Sequence, residues 1–146
     1  MGSSNQRIYI DTNVFLNYIY EEPEKPEIVE PSILLLEDTK DCKYFLVASD
    51  GMVREIQKIT QWEEDKILEK IFRPFELLEK IEWVKTTKQV AEEATYLYSL
   101  YGIHRADAIH AAMASMYDCW LITYDRELKK AAKTAGLIVY DPRELT

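Results

Sequence analysis

"RIYIDTNVF", Arg7 to Phe15, is the stretch on which the fold turns. Ile8, Tyr9 and Ile10 make an apolar run of strand type, Asp11 ends it, and Thr12 and Asn13 lead into a second apolar run. The pattern predicts a buried strand over Arg7–Asp11 and a short helix over "NVFLNYIY". An ionised carboxylate at the end of a buried strand is costly unless it is paired, caps a helix or holds a cation. Thr12 or Asn13 already offers a capping group, so the meaning of Asp11 has to come from elsewhere in the chain.

The strand-then-helix pattern recurs downstream. Glu21 to Glu27 reads as a proline-punctuated acidic loop, and "PSILLLEDTKD" as a helix with Pro31 in its first turn. Lys43–Ser49 is a second strand, and Ser49 or Asp50 caps the helix "GMVREIQKI". Ile67, Ile71, Phe75 and Leu78 fall at helical spacing, with Pro74 expected to kink or split the helix. "EWVKT" is a short strand. Thr86 and Gln89 then form a capping box ahead of a helix that Gly102 closes. "HRADAIHAAMASMY" is a helix of small residues, Cys119–Thr123 a strand, "DRELKKAAKTA" a helix closed by Gly136, and "LIVY" a last strand. Strands alternating with helices predict a three-layer α/β/α sandwich on a mainly parallel central sheet.

The chain has 146 residues, which suits one domain; Met1–Gln6 reads as a tag or loose arm and residues 7–146 as the domain. A content of 47% apolar and 12% aromatic residues is that of a globular chain, not a disordered one. Cys42 and Cys119 show neither metal-ligand spacing nor a CxxC pair, which points to a reducing compartment and a cytoplasmic protein. No signal peptide or membrane-spanning run is visible. The net charge of −8 argues against a broad basic face gripping nucleic acid. It does not argue against a nuclease, since bound cations invert the sign locally.

In open parallel sheets ligands sit beyond the carboxyl ends of the strands, and four acids are assigned to that rim. Asp11 closes the first strand, Glu55 rides the helix after the second, Asp107 begins the helix before "CWLIT", and Asp125 lies two residues past Thr123. Each also has a plain structural reading. Asp125 ahead of "RELKK" is a good N-cap, Asp107 suits the positive end of a helix, and Glu55 can be a solvated helix acid.

Together, "YIDTNVF", "SDGMVREI", "RADAIHAA" and "LITYDREL" resemble the four acidic motifs of the PIN-domain ribonucleases, in particular the small single-domain VapC-type toxins. The resemblance runs from Ile8 to Tyr140, and Leu128 departs from it where many members carry an aromatic residue. It implies a PIN-like fold and metal-dependent hydrolysis of RNA phosphodiesters. Asp11, Glu55, Asp107 and Asp125 would be the catalytic metal ligands for Mg²⁺ or Mn²⁺, and Thr12, Asn13 and Thr123 would orient carboxylates or water behind them. It also implies a small antitoxin partner, and a homodimer is expected. Hard divalent cations favour such an all-oxygen set.

Arg105 is the first candidate for a phosphate contact; Arg126, Lys129, Lys130 and Lys133 are weaker ones, better read as a solvated helix face. His104 and His110 stay outside the catalytic set, because a packed or partly exposed imidazole is the commoner outcome. The tyrosines and tryptophans offer stacking surfaces, but mostly on faces that suit a core or a dimer contact. The apolar residues around Leu34–Leu36 and Ile67–Leu78 are expected to serve a partner or a second copy. A haloacid-dehalogenase-type phosphatase needs a second aspartate where Asn13 stands, and an NTPase needs a glycine-rich loop that four glycines do not supply. The remaining alternative is a PIN fold used as a protein-binding module with weak or no nuclease activity.

Overall fold

The computed structural model describes residues 5–20, 24–41 and 43–145. Within them the chain runs β1 (Gln6–Ile10), α1 (Thr12–Tyr20), α2 (Pro26–Lys40), β2 (Tyr44–Ser49), α3 (Asp50–Thr60) and α4 (Glu64–Ile67). A π-helical turn (Leu68–Phe72) joins α4 to α5 (Arg73–Leu77). There follow β3 (Ile81–Val84), α6 (Lys88–Tyr101), α7 (Arg105–Met116), β4 (Trp120–Ile122), α8 (Arg126–Thr134), β5 (Val139–Tyr140) and a closing 3₁₀ turn (Pro142–Leu145).

All pairings in the sheet are parallel, in the order β3-β2-β1-β4-β5. The order reverses at β1, so the crevice between β1 and β4 is the point where connections leave in opposite directions. Right-handed crossovers then put α1–α5 on one face of the sheet and α6–α8 on the other, giving the three expected layers. The central strands are apolar on both faces: Ile8, Tyr9, Ile10, Leu46, Val47, Leu121 and Ile122 are fully enclosed. On the first face Phe15 meets Phe72 at a centroid distance of 5.4 Å. On the second, Ala108, Ala111, Ala112 and Ala114 let α7 approach the strands closely.

Several local expectations shift. The proposed boundary of the arm falls inside β1, which begins at Gln6. The start of α2 is Pro26 rather than Pro31, and Pro31 lies within the helix. The carbonyl its missing N–H leaves without a partner belongs to Glu27, on an exposed first turn open to water. Of the acidic loop, residues 21–23 lie outside the described residues, as does Cys42. Pro74 does not split its helix; the wider π turn precedes it and takes up the lost backbone donor. Ile67, Ile71 and Phe75 are buried, whereas Leu78 follows the helix end and is 47% exposed. The expected partner surface is therefore largely core. Leu35 and Leu36 join Ile67, Ile71 and Phe75 inside, and Leu34, Leu77 and Leu78 remain outside.

The cap of α6 is Thr87, one residue later than expected, and its hydroxyl accepts from Val90 N–H at 3.2 Å. That placement turns Val90, Ala94 and Leu97 inward as one stripe. Gly102 closes the helix at φ +69°, where a side chain would be strained. Thr87→Ala should therefore cost about 1 kcal/mol in urea unfolding, as loss of an N-cap does. Thr86→Ala should leave the midpoint unchanged within a few tenths of a kcal/mol. Equal losses at the two positions would contradict the cap assignment.

Candidate active site

The register of β1 against β4 builds the centre of the site. Ile10 stands opposite Ile122, and Asp11 N–H continues the ladder to the Ile122 carbonyl at 2.9 Å. The next residues on each strand, Asp11 and Thr123, thus meet beyond the carboxyl ends of the strands. Thr123 donates its hydroxyl to Asp11 Oδ2 at 2.7 Å, and Asn13 Nδ2 approaches the same oxygen at 3.3 Å. Asp11 is buried, with no ion pair among the described residues. Burial raises its pKa above the ordinary aspartate value, against the pull of the Thr123 hydrogen bond. The second carboxamide atom, Asn13 Oδ1, is shut off from solvent and meets no hydrogen-bond donor among the described residues.

Asp107, on the first turn of α7, is half-buried and accepts no hydrogen bond among the described residues. Its pKa is pushed up to about 6, by burial first and then by the negative charges of Asp11 and Asp125, with a smaller push from Glu55. The carboxylate therefore senses all three other acids of the expected set. Asp125 is the N-cap of α8: Oδ1 accepts from Glu127 and Leu128 N–H at 3.0 and 3.1 Å. Its own N–H donates to Thr123 Oγ1 at 3.0 Å. Capping uses one oxygen and leaves Oδ2 without a hydrogen bond among the described residues, so the N-cap role of Asp125 is compatible with its charge acting on Asp107.

Glu55 stands differently. Its Oε2 accepts from Thr12 Oγ1 at 2.8 Å and its Oε1 lies 2.6 Å from His110 Nε2. Burial pushes its pKa up, but the hydrogen bond and charge of His110 outweigh that, and the net shift is downward. Conversely, burial pushes His110 down and Glu55 more than offsets it, so the imidazole titrates above its ordinary value. Behind the ring, Tyr9 Oη lies 2.6 Å from Nδ1 and 2.8 Å from Ser49 Oγ. Ser49 also caps α3. His110 lies outside the acid set that the sequence points to, and no local pattern joins it to Tyr9 or Ser49. The one available signal was its position three residues after Asp107, on the same helical face.

The Arg105 guanidinium lies 4.6 Å from the centroid of the Tyr98 ring of α6. Arg54 and Lys58 line the cleft that also contains Glu55 and His110. Lys129 pairs with Glu144. Among the described residues no three His, Cys, Asp or Glu side chains stand close enough to bind one ion together. The acids form an electrostatically coupled ring around the β1–β4 crevice that is wider than a direct coordination shell.

The sequence matches the family model for the PIN domain over residues 8–134. The chain belongs to the PIN domain family. That family is generally one of nucleases that use divalent metals. Solved structures share its fold: the crystal structure of FitAcB from Neisseria gonorrhoeae is 22% identical with a TM-score of 0.67, over 92% of this chain and 97% of that one. VapBC2 from Rickettsia felis, bound to a DNA fragment from its promoter, is 16% identical with a TM-score of 0.65, over 93% and 98%. A toxin-antitoxin complex from Klebsiella pneumoniae is 18% identical with a TM-score of 0.55, over 81% and 86%. No curated protein matches the sequence. No helix among the described residues is long and apolar enough to cross a membrane.

The raised Asp107 pKa gives a pH-dependent prediction. A carboxyl titrating near 6 when folded and near 4 when unfolded binds more protons in the native state across that interval. Its contribution to stability therefore declines as pH rises through the window. Asp107→Asn should stabilise the cation-free protein at pH 8 by about 1 kcal/mol after allowance for solvent screening, or roughly 2–4 °C in Tm. At pH 4 the two proteins should melt together. Calorimetry at both pH values checks this; a variant that is less stable at pH 8 would contradict it.

Proposed function

We propose that this PIN-domain protein is a Mg²⁺- or Mn²⁺-dependent endoribonuclease and the toxin of a toxin-antitoxin pair. The observation that carries the reading is Asp107. It is a half-buried carboxylate without a hydrogen bond or ion pair among the described residues, at a rim it shares with the buried Asp11. Holding such groups together costs stability unless a cation binds there.

The donor set has the right chemistry for a hard cation: Asp11, Glu55, Asp107 and Asp125 supply carboxylate oxygens, and Asn13 Oδ1 is a buried acceptor without a partner. Mg²⁺ keeps several waters, so carboxylates in a wide ring can hold it through water as well as directly. When bound, the ion would lower the pKa of a water and neutralise phosphate charge. Thr123 and Asn13 orient Asp11, and Thr12 orients Glu55. Arg54 and Lys58 flank the acids on the α3 side, and the N–H edge of Arg105 is proposed to contact phosphate from the α7 side. The toxin assignment draws on the structural likeness to a toxin-antitoxin complex; the proposed partners are RNA, a small antitoxin and a second copy of the chain. The width of the acid ring favours the competing reading, a PIN-fold protein-binding module.

Cleavage of RNA oligonucleotides separates the two. The wild type should cleave with Mn²⁺, lose activity with a chelator, and lose at least about 100-fold as Asp11→Asn, about 2.7 kcal/mol in the barrier. Mn²⁺ at 100 times its dissociation constant should also stabilise the wild type by about 2.7 kcal/mol, with no rise in Tm for Asp11→Asn. Wild type and variant behaving alike in both assays would leave only the module.

A further inference from the structure

We propose that His110 is a positioning residue: a hydrogen-bond chain anchored at Ser49 fixes its ring, the ring fixes Glu55 Oε1, and this sets how strongly the acid cluster takes up a divalent cation. The inference deepens the nuclease reading and rests on it, because it assigns a role in cation uptake to a side chain outside the acid set.

Donor and acceptor logic gives the chain its direction. An ionised carboxylate only accepts, so the 2.6 Å contact requires Nε2 of His110 to carry a proton toward Glu55. In the neutral ring Nδ1 is then an acceptor, and Tyr9 must donate to it across 2.6 Å. Tyr9 has one proton, so at its 2.8 Å contact with Ser49 it accepts, and Ser49 donates. Ser49 Oγ in turn accepts from Met52 N–H at 3.2 Å, which ties the chain to the backbone of α3. If the ring is charged, Nδ1 donates to Tyr9 and Tyr9 to Ser49, and the Nε2 proton still faces Glu55. The orientation of Glu55 is the same in both states.

The chain matters because Glu55 is otherwise poorly held. A glutamate has three rotatable side-chain bonds and loses roughly 1.5–2 kcal/mol of rotamer freedom when fixed, and this side chain is 35% exposed. His110, with a side chain only 3% exposed, clamps one oxygen, and Thr12 holds the other at 2.8 Å. Each oxygen keeps a further lone pair for a cation or a bridging water. One face of α7 thus delivers Asp107 and, one turn later, the group that orients Glu55 on a different helix.

The test is Mn²⁺ titration by calorimetry on the full chain, with circular dichroism to establish folding. Removal of a partner that orients a ligand typically costs 10–100-fold in affinity, and His110→Ala should weaken Mn²⁺ binding by about that factor. His110→Gln, whose amide N–H has a similar reach, should return to within about threefold of the wild type. Tyr9→Phe, which keeps the ring packing and removes the phenol, should lose affinity in the same direction but less. In the metal-free wild type, ¹⁵N shifts of the imidazole should show a protonated Nε2. Wild-type affinity in His110→Ala, or in Tyr9→Phe if the alanine variant does not fold, would overturn the proposal. So would a glutamine variant as weak as the alanine one. If Asp11→Asn abolishes binding while the His110 variants retain it, the positioning role falls and the nuclease reading stands; a wild type that binds no Mn²⁺ overturns both.

Discussion

The pairing of β1 with β4 is the constraint on which the rest depends. Two strands more than a hundred residues apart in sequence are held in one parallel register, Ile8 to Trp120 and Ile10 to Ile122. Because both are enclosed on their two faces, a slip of one residue would turn buried side chains to the wrong side. With that register fixed, Asp11 and Thr123 must meet at the strand ends. The chain then leaves toward α1 on one face and α8 on the other, which opens the crevice there. Thr12, Asn13 and the Asp125 cap all follow from those two exits.

The acids around this crevice fall into two electrostatic halves. Glu55 is balanced: a buried imidazole and a threonine hydroxyl hold it, and its pKa lies below the ordinary value. Asp11 and Asp107 are unbalanced: burial displaces both upward, Glu55 pushes Asp11 further, Asp11 and Asp125 push Asp107 further, and neither forms an ion pair among the described residues. A chain with net charge −8 that concentrates further negative charge in a partly buried ring gives up stability at that place. The polar links behind the ring run to backbone groups and buried hydroxyls, so the cost is borne by a rigid frame rather than a mobile loop.

Helical packing shows how the frame tolerates its own irregularities. Pro31 sits where a missing donor leaves only a water-exposed carbonyl, and Pro74 follows a π turn that keeps Ile67, Ile71 and Phe75 on the core. Both prolines are absorbed inside the α-helical layer that carries Glu55, without moving the start of α3, where Ser49 serves as cap and as the anchor for Tyr9.

The layer order and the rim position of Asp11 were legible in the residues alone, since apolar runs ending in polar residues and alternating with amphipathic stretches allow few other arrangements. The PIN resemblance came from the same local patterns. Exact starts were less legible, as at Pro26 and Thr87, because neighbouring residues offered equivalent caps and only the inward stripe of each helix chose between them. The link from Tyr9 through His110 to Glu55 was not legible at all. Its members lie 101 and 55 residues apart, and one histidine on an alanine-rich helix has no periodic signature. Local sequence determines which faces are apolar and where helices and strands must change over, because those depend on near neighbours. Which polar groups then share a proton is decided by strand register and helix docking, because a hydrogen bond is set by distances of a few tenths of an ångström that only the assembled fold defines.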